Sequence, residues 1–175
     1  MKIIKDNISK EEVARYYVKS EIGNGLCDDK VKGFDLDNID SIDRNTLKGL
    51  VKTLSSCRVN NIYDIIYTSA GKFSLCEWQS SELTLTDINS KVIAELSKVK
   101  NELENFAEVV KSTELTILKE FKDNGGIVAN TKLIIRKCPN SNGGRVIDGC
   151  HRAVVLYNRG CRIFRGYTFF EQGHK

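Results

Sequence analysis

The sequence predicts an α+β fold in which a small mixed sheet is flanked by helices. Three observations favour it: helical apolar spacing early in the chain, a long periodic segment after Val92, and, from Thr113 onward, patterns in the order helix, strand, turn, strand, helix, strand. We therefore expect an N-terminal helical region over residues 1–60. A mixed domain over residues 61–175 would follow, with a long helical insertion at about 86–124.

Two helices are predicted in the N-terminal region. The stretch "SKEEVARYYVKSEIG" begins with Ser9 as N-cap and has Glu12 three residues later, which is the reciprocal capping-box arrangement. The stretch "DRNTLKGLVKTLSS" carries apolar residues at helical spacing, namely Leu47, Leu50, Val51 and Leu54. Residues 24–40 between them are rich in Gly, Asp and Asn and predict a loop.

Residues 62–78 predict a β-hairpin, because two β-rich stretches, 62–68 and 72–78, flank a Ser-Ala-Gly turn. The longest periodic segment then predicts a helix that begins near Asp87 as N-cap. Its apolar seam recurs in steps of four and three residues: Val92, Leu96, Val99, Leu103, Phe106 and Val110. The seam favours one arm of an intramolecular helical pair, and a homodimer through the helix at 87–111 is the alternative.

The last third of the chain predicts alternating helices and strands. A helix, "STELTILKEFKDNGG", ends at the glycine pair 125–126 and precedes the strand "TKLIIRKC". After the turn "PNSNGG" come a second strand, "RVI", and a turn at Asp148 and Gly149. The stretch "HRAVVLYNRG" predicts a helix closed by Gly160, and "CRIFRGYTFF" predicts the final strand.

The composition is that of a globular protein, with 41% hydrophobic and 29% charged residues. The longest apolar runs, such as "AVVLY", have only a few residues, which excludes a membrane-spanning helix. The polar opening "MKIIKDNISKEE" lacks the apolar stretch of a secretory signal, so we expect a cytoplasmic protein. The six cysteines form no CxxC pair, and most are expected to be free, buried thiols.

The final quarter of the chain is cationic, although the net charge is only +4. From residue 136 onward its only acidic residues are Asp148 and Glu171. Its basic residues are Arg136, Lys137, Arg145, Arg152, Arg159, Arg162, Arg165 and Lys175. This excess favours an anionic ligand such as a nucleotide, a phosphorylated metabolite or nucleic acid, and a solvated basic surface is the alternative interpretation. Arginine prevails over lysine, which favours bidentate recognition of phosphate.

The strongest candidate site is the stretch "DGCHR" at residues 148–152. If a strand ends before Gly149 and a helix begins after it, the first helical N–H groups and the helix dipole favour an anion there. His151 and Arg152 would add charged donors, and Asp148 could cap the helix or hold Mg²⁺ beside phosphates. Cys150 would gain thiolate character. The alternative is structural: a cap, a turn glycine and a surface histidine.

The stretch "DGCHRAVVLYNRG" resembles the signature of the ParB/sulfiredoxin-like superfamily, in which Asp-Gly-x-His-Arg lies between a strand and a helix and binds nucleotide phosphates. "GGRVIDGCHR" also resembles the sulfiredoxin motif, in which Gly-Cys-His-Arg carries the catalytic cysteine. The resemblance covers residues 113–170. Sulfiredoxins have a second glycine where this chain has Asp148, and the Gly-Glu-Arg-Arg motif of chromosome-partitioning ParB proteins is absent. The pattern is most similar to the branch that contains free-serine kinases, where the position of Cys150 is variable.

The resemblance implies three functions in order of preference. The first is a phosphotransferase that uses ATP or ADP with Mg²⁺ on a small hydroxyl-containing substrate. Its catalytic set would be Asp148, His151 and Cys150, and residues 149–152 would hold the nucleotide. Its general base would be an upstream glutamate, Glu77 or Glu82. The second is sulfiredoxin-like reduction of a cysteine sulfinic acid by Cys150. The third is a non-enzymatic module that binds nucleotide or, less favoured, nucleic acid.

Overall fold

The computed structural model describes residues 1–23, 31, 34–56, 62–67, 77–89, 93, 104–137 and 143–170, with the backbone alone at 104–110 and 112. Within these ranges it contains five α-helices and a five-stranded sheet, which confirms the α+β class. The chain divides into two compact units. A helical unit comprises residues 8–76 and 172–175, and a sheet unit comprises residues 1–7 and 77–171.

Helices α1 (Lys10–Gly23), α2 (Arg44–Ser55) and α3 (Ile62–Tyr67) form the helical unit. Both predicted N-terminal helices are confirmed, and the predicted cap at Ser9 is present. The Glu12 N–H donates to the Ser9 hydroxyl at 3.0 Å, and the Asp43 carboxylate accepts from the N–H groups of the first turn of α2. The predicted apolar stripe of α2 is buried, since Leu47, Leu50, Val51 and Leu54 are at most 6% exposed.

Helix α3 corrects the predicted hairpin. Residues 62–67 are helical, and their buried members, Ile62, Ile65 and Ile66, follow helical spacing. A short apolar run matches a strand and a helix equally well, so its period does not decide between them. Helix α3 packs on α2, and two lysine–tyrosine pairs lie along this contact. Lys52 Nζ is 6.0 Å from the ring centre of Tyr63, and Lys48 Nζ is 5.9 Å from that of Tyr67. Of the second predicted strand only Glu77 and Trp78 are described, and Trp78 begins a strand.

The sheet contains β1 (Lys2–Lys5), β2 (Trp78–Leu83), β3 (Ile127–Lys137), β4 (Arg145–Asp148) and β5 (Ile163–Phe170), in the order β1-β2-β5-β3-β4. Strand β3 runs parallel to β5, whereas the other pairs are antiparallel, so the predicted mixed sheet is confirmed. Strand β1 was not among the predicted elements. Its four residues, Lys-Ile-Ile-Lys, are too few to show the alternation of apolar and polar residues that predicts a strand, and pairing with β2 determines its conformation.

Helices α4 (Glu104–Asp123) and α5 (Cys150–Asn158) complete the sheet unit. Helix α5 packs on one face of the sheet, where Ala153, Val154, Val155 and Leu156 join a buried cluster with Leu83, Leu133 and Phe164. The helix ends at Gly160 as predicted. The Cys161 N–H donates to the Leu156 carbonyl at 3.0 Å and the Gly160 N–H to the Tyr157 carbonyl, and Gly160 has φ +60°.

The long helical insertion differs from the prediction at two places. Helix α4 runs unbroken through Ser112 and Thr113, where two separate helices were predicted. No helix begins at Asp87, because residues 85–87 form a short 3₁₀ turn and Ile88 is extended and bridges to Gly144. The Asp87 carboxylate instead accepts from the Thr84 N–H at 2.9 Å. Asp87 is a residue type that favours helix N-caps, but here its carboxylate stabilises the tighter 3₁₀ turn.

Most of the predicted seam at 87–111 falls outside the described side chains, so the homodimer through it stays a prediction. In the ranges that the structure covers, no helix has the length and apolar character needed to cross a membrane.

Candidate functional site

A single glycine connects β4 to α5. Gly149 is the N-cap residue of α5 and adopts the left-handed conformation, with φ 91° and ψ 28°. A Cβ at this position would lie 2.7 Å from Arg152 Nε and 2.8 Å from Leu133 Cδ2. The Ala153 N–H donates to the Gly149 carbonyl at 2.8 Å, which is the first hydrogen bond of the helix. Glycine is therefore required here for its backbone freedom and for its lack of a side chain.

Asp148 and Arg152 form an ion pair across this turn. Arg152 Nη2 donates to Asp148 Oδ2 at 2.5 Å, and the side chains are 6% and 15% exposed, respectively. The guanidinium lies directly over Gly149, since Nε and Nη2 are 2.7 and 2.9 Å from the place of its missing Cβ. Asp148 is thus not the N-cap of α5. Its carboxylate neutralises a buried arginine at the beginning of the helix.

The polarity of the turn favours an anion. The aligned peptide dipoles of α5 place partial positive charge at its N-terminus, and Gly149 has no side chain with which to cap it. His151, in the first turn, is half-buried, as are Asp148 and Cys150, whereas Gly149 and Arg152 are buried. Of the two residues predicted to bind phosphate, His151 is therefore the one that remains partly accessible to solvent, whereas Arg152 is buried.

The two described cysteines have structural surroundings. Cys150 is half-buried and packs against the apolar cluster beneath α5. Cys161 is buried beyond the other end of that helix, as predicted, and its burial raises the pKa of its thiol. The other four cysteines, Cys27, Cys57, Cys76 and Cys138, lie outside the described residues.

The structure does not bring either predicted base to the turn. Glu82 lies on β2, which β5 and β3 separate from β4. Its neighbour Leu83 is in the cluster beneath α5, so strand alternation directs Glu82 to the opposite face, where Lys2 and Arg165 are its cross-strand partners. Glu77 is exposed and immediately precedes β2. Neither glutamate therefore lies where it could accept a proton at the Gly149 turn.

Among the described residues there is no group of three or more His, Cys, Asp or Glu side chains that could hold a metal ion. A magnesium ion bound beside nucleotide phosphates needs only one or two protein carboxylates. Asp148 could supply one oxygen, because its other oxygen already accepts from Arg152. The residues present therefore fit Mg²⁺ only as a partner of a bound polyphosphate.

Sequence reasoning missed two contacts that shape this site. It treated Asp148 and Arg152 as independent ligands, although a separation of four residues at a helix start is the spacing at which opposite charges meet. It also gave no role to Leu133, whose side chain on β3 closes the space beside Gly149. The first contact has a local signal, whereas the second depends on the pairing of β3 with β4.

Protein-family models, curated proteins and solved structures contain no match to this chain. The resemblance of "DGCHR" to the ParB/sulfiredoxin-like superfamily therefore stays a prediction from a short motif.

Proposed function

We propose that this chain binds ATP or ADP through its phosphates at the Gly149 turn and transfers a phosphoryl group to a small hydroxyl-containing substrate. The proposal includes a ParB/sulfiredoxin-like arrangement of the sheet unit. One observation supports it above the others: a left-handed glycine joins β4 directly to α5 and serves as its N-cap. A strand that ends in a glycine turn at a helix N-terminus suits a phosphate, because backbone N–H groups and the helix dipole both favour negative charge.

Within this proposal the residues have distinct tasks. The backbone of residues 149–151 and the His151 side chain bind phosphate, while buried Arg152 lies over Gly149 with its charge balanced by Asp148. Mg²⁺, bound with the nucleotide, would neutralise charge that develops on the transferred group. Phosphoryl transfer depends mainly on such positioning and charge neutralisation, so little further protein chemistry is needed beyond a base.

Nucleotide binding without catalysis is the second candidate, and the positions of the glutamates favour it. Phosphoryl transfer to a hydroxyl requires a group that accepts the hydroxyl proton. Glu82 faces away from α5, and Glu77 lies before β2 and not beside Gly149. A switch or adaptor that binds nucleotide needs no such base.

The remaining alternatives have less support. Sulfiredoxin-like chemistry requires an accessible, activated thiol, whereas Cys150 packs against the apolar cluster. Stacking of nucleic-acid bases requires exposed rings, and of the aromatic residues interleaved with the arginines Phe164, Tyr167 and Phe169 are at most 2% exposed. Tyr157 and Phe170 are each 38% exposed and are the aromatic residues there that could contact a base.

A thermal-shift screen with ATP, ADP and CTP, each with Mg²⁺, tests nucleotide binding. We expect one nucleotide at saturating concentration to raise the melting temperature by about 5 °C. His151→Ala should abolish most of this rise, whereas the matched control His174→Ala, which changes the only other histidine, should retain it. No shift with any nucleotide, or an equal shift in both variants, would contradict the proposed site.

A turnover assay distinguishes the phosphotransferase from the module that only binds nucleotide. The wild-type protein is incubated with the stabilising nucleotide and a panel of hydroxyl-containing metabolites, and nucleotide consumption is measured. Consumption that depends on one metabolite supports the phosphotransferase. Binding without consumption on any hydroxyl compound supports the non-enzymatic module.

A further inference from the structure

The ion pair of Asp148 and Arg152 has a consequence for the charge of the ligand. The guanidinium of Arg152 lies over Gly149, at the positive end of α5, and the Asp148 carboxylate contacts it at 2.5 Å. Without Asp148, a cation would face the positive end of a helix dipole. The carboxylate removes this repulsion, and it also places a negative charge within the turn that we assign to phosphate.

We propose that Asp148 sets the charge selectivity of the Gly149 turn as the internal counter-ion of Arg152, and not as a ligand of magnesium. The inference rests on the proposed nucleotide binding. Because Asp148 repels any phosphate at the turn, the repulsion increases with the charge of the ligand. Free ATP carries two more negative charges than its Mg²⁺ complex, so Asp148 makes the site prefer the complex without a bond to the metal.

The two roles of Asp148 predict opposite signs for one substitution. Asp148→Asn keeps an oxygen that can accept from Arg152 but removes the charge. If Asp148 is the counter-ion, this variant binds free ATP more tightly and loses preference for the Mg²⁺ complex. If Asp148 is a magnesium ligand, the variant binds the Mg²⁺ complex more weakly than the wild type does, although free ATP, which lacks the ion, still gains from the lost charge. If Asp148 only supports the fold, both affinities fall.

Isothermal titration with ATP, with and without Mg²⁺, measures these affinities for the wild type and for Asp148→Asn. We expect the affinity for free ATP to rise about tenfold in Asp148→Asn and that for the Mg²⁺ complex to rise less. The control is Glu114→Gln, which removes one negative charge from the ion pair with Arg159 at the other end of α5. It should leave both affinities at the wild-type values.

Two further variants test whether Asp148 acts through Arg152. Arg152→Gln should bind both forms of ATP more weakly than the wild type, and Asp148→Asn in the same chain should restore part of that loss. A magnesium ligand would produce a further loss in the double variant. Arg152→Lys retains the positive charge and should retain the preference for the Mg²⁺ complex, and it replaces Arg152→Gln in the comparison if that variant does not fold.

Urea unfolding of the same proteins provides a readout that needs no nucleotide. The double variant should be more stable than Arg152→Gln alone, because the latter leaves a carboxylate without its cation in a largely buried place. If the wild type binds neither form of ATP, both the proposed function and the proposed charge selectivity are wrong. If it binds ATP but Asp148→Asn weakens only the Mg²⁺ complex, the selectivity falls and the proposed function stands.

Discussion

The N-termini of α2 and α5 both follow an aspartate, yet they differ in what that aspartate does. Asp43 is the N-cap of α2, and its carboxylate accepts from the N–H groups of Asn45 at 2.8 Å and Thr46 at 3.1 Å. Asp148 precedes the N-cap of α5 by one residue, and its carboxylate accepts from the Arg152 guanidinium. A shift of one position thus changes an acid from a helix cap into the counter-ion of a side chain.

This difference separates a structural helix end from a candidate ligand site. At α2 the carboxylate itself provides the negative charge that the helix dipole favours. At α5 the N-cap is a glycine, so the cap residue provides no such charge. The comparison predicts that substitutions at α2 affect stability alone, whereas those at α5 affect stability and phosphate binding.

The largest expected effect is that of Gly149→Ala. The added Cβ meets Arg152 and Leu133 at less than 3 Å, and an alanine at φ 91° is strained. We expect a loss of about 2–4 kcal/mol in the free energy of unfolding, measured with urea, and a loss of nucleotide binding. Gly49→Ala within α2, where nothing lies within 4 Å of the new Cβ, should have no cost or stabilise by about 0.5–1 kcal/mol.

A third glycine separates strain from steric overlap. Gly160 also has positive φ, at +60°, but its Cβ would meet nothing within 4 Å. Gly160→Ala should therefore cost only the backbone strain, about 1 kcal/mol. An equal loss in the free energy of unfolding for Gly149→Ala and Gly160→Ala would mean that steric overlap with Arg152 and Leu133 does not contribute.

A smaller effect is expected at α2. Asp43→Ala should lower the urea midpoint at neutral pH, because it removes the cap, and should leave nucleotide binding unchanged. Asp43→Asn retains a capping oxygen and should lower the midpoint less. The hydrogen bond from the Thr46 hydroxyl, together with those from the N–H groups of Thr46 and Asn45, lowers the pKa of Asp43 below 3.8.

The lowered pKa gives this prediction a pH dependence. The carboxylate binds its proton more weakly in the folded protein, so its contribution to stability is fully present above pH 3.8 and is lost as the pH falls through the lower, folded-state pKa. Urea midpoints measured from neutral to acid pH should therefore converge for the wild type and Asp43→Asn. A difference that persists in acid would indicate that the charge of Asp43 is not responsible.

The smallest effect is expected for Cys150→Ser. Because Cys150 packs against the apolar cluster and is variable in the resembling kinases, the nucleotide-induced thermal shift should remain and the affinity should change less than about twofold. Loss of all activity with intact nucleotide binding would instead support the sulfiredoxin-like alternative.

Local patterns predicted the parts of the fold that local contacts stabilise. The cap at Ser9 and the stop at Gly160 each involve hydrogen bonds between residues at most five apart, and each is where the sequence places it. The interpretations of residues 62–67 and of Asp87 were wrong for the same reason. Both stretches satisfy local rules for more than one structure, and contacts with distant residues select among them.

The sequence by itself determined the α+β class, the capped helices and the strand–glycine–helix connection at Gly149, because apolar period, caps and glycine act over a few residues. Only the tertiary structure decided the strand order, the pairing of β1 with β2, the place of Leu133 beneath Gly149 and the separation of Glu82 from the turn. These features join residues distant along the chain, and their free energy comes from burying shared surface, which no short stretch of sequence encodes.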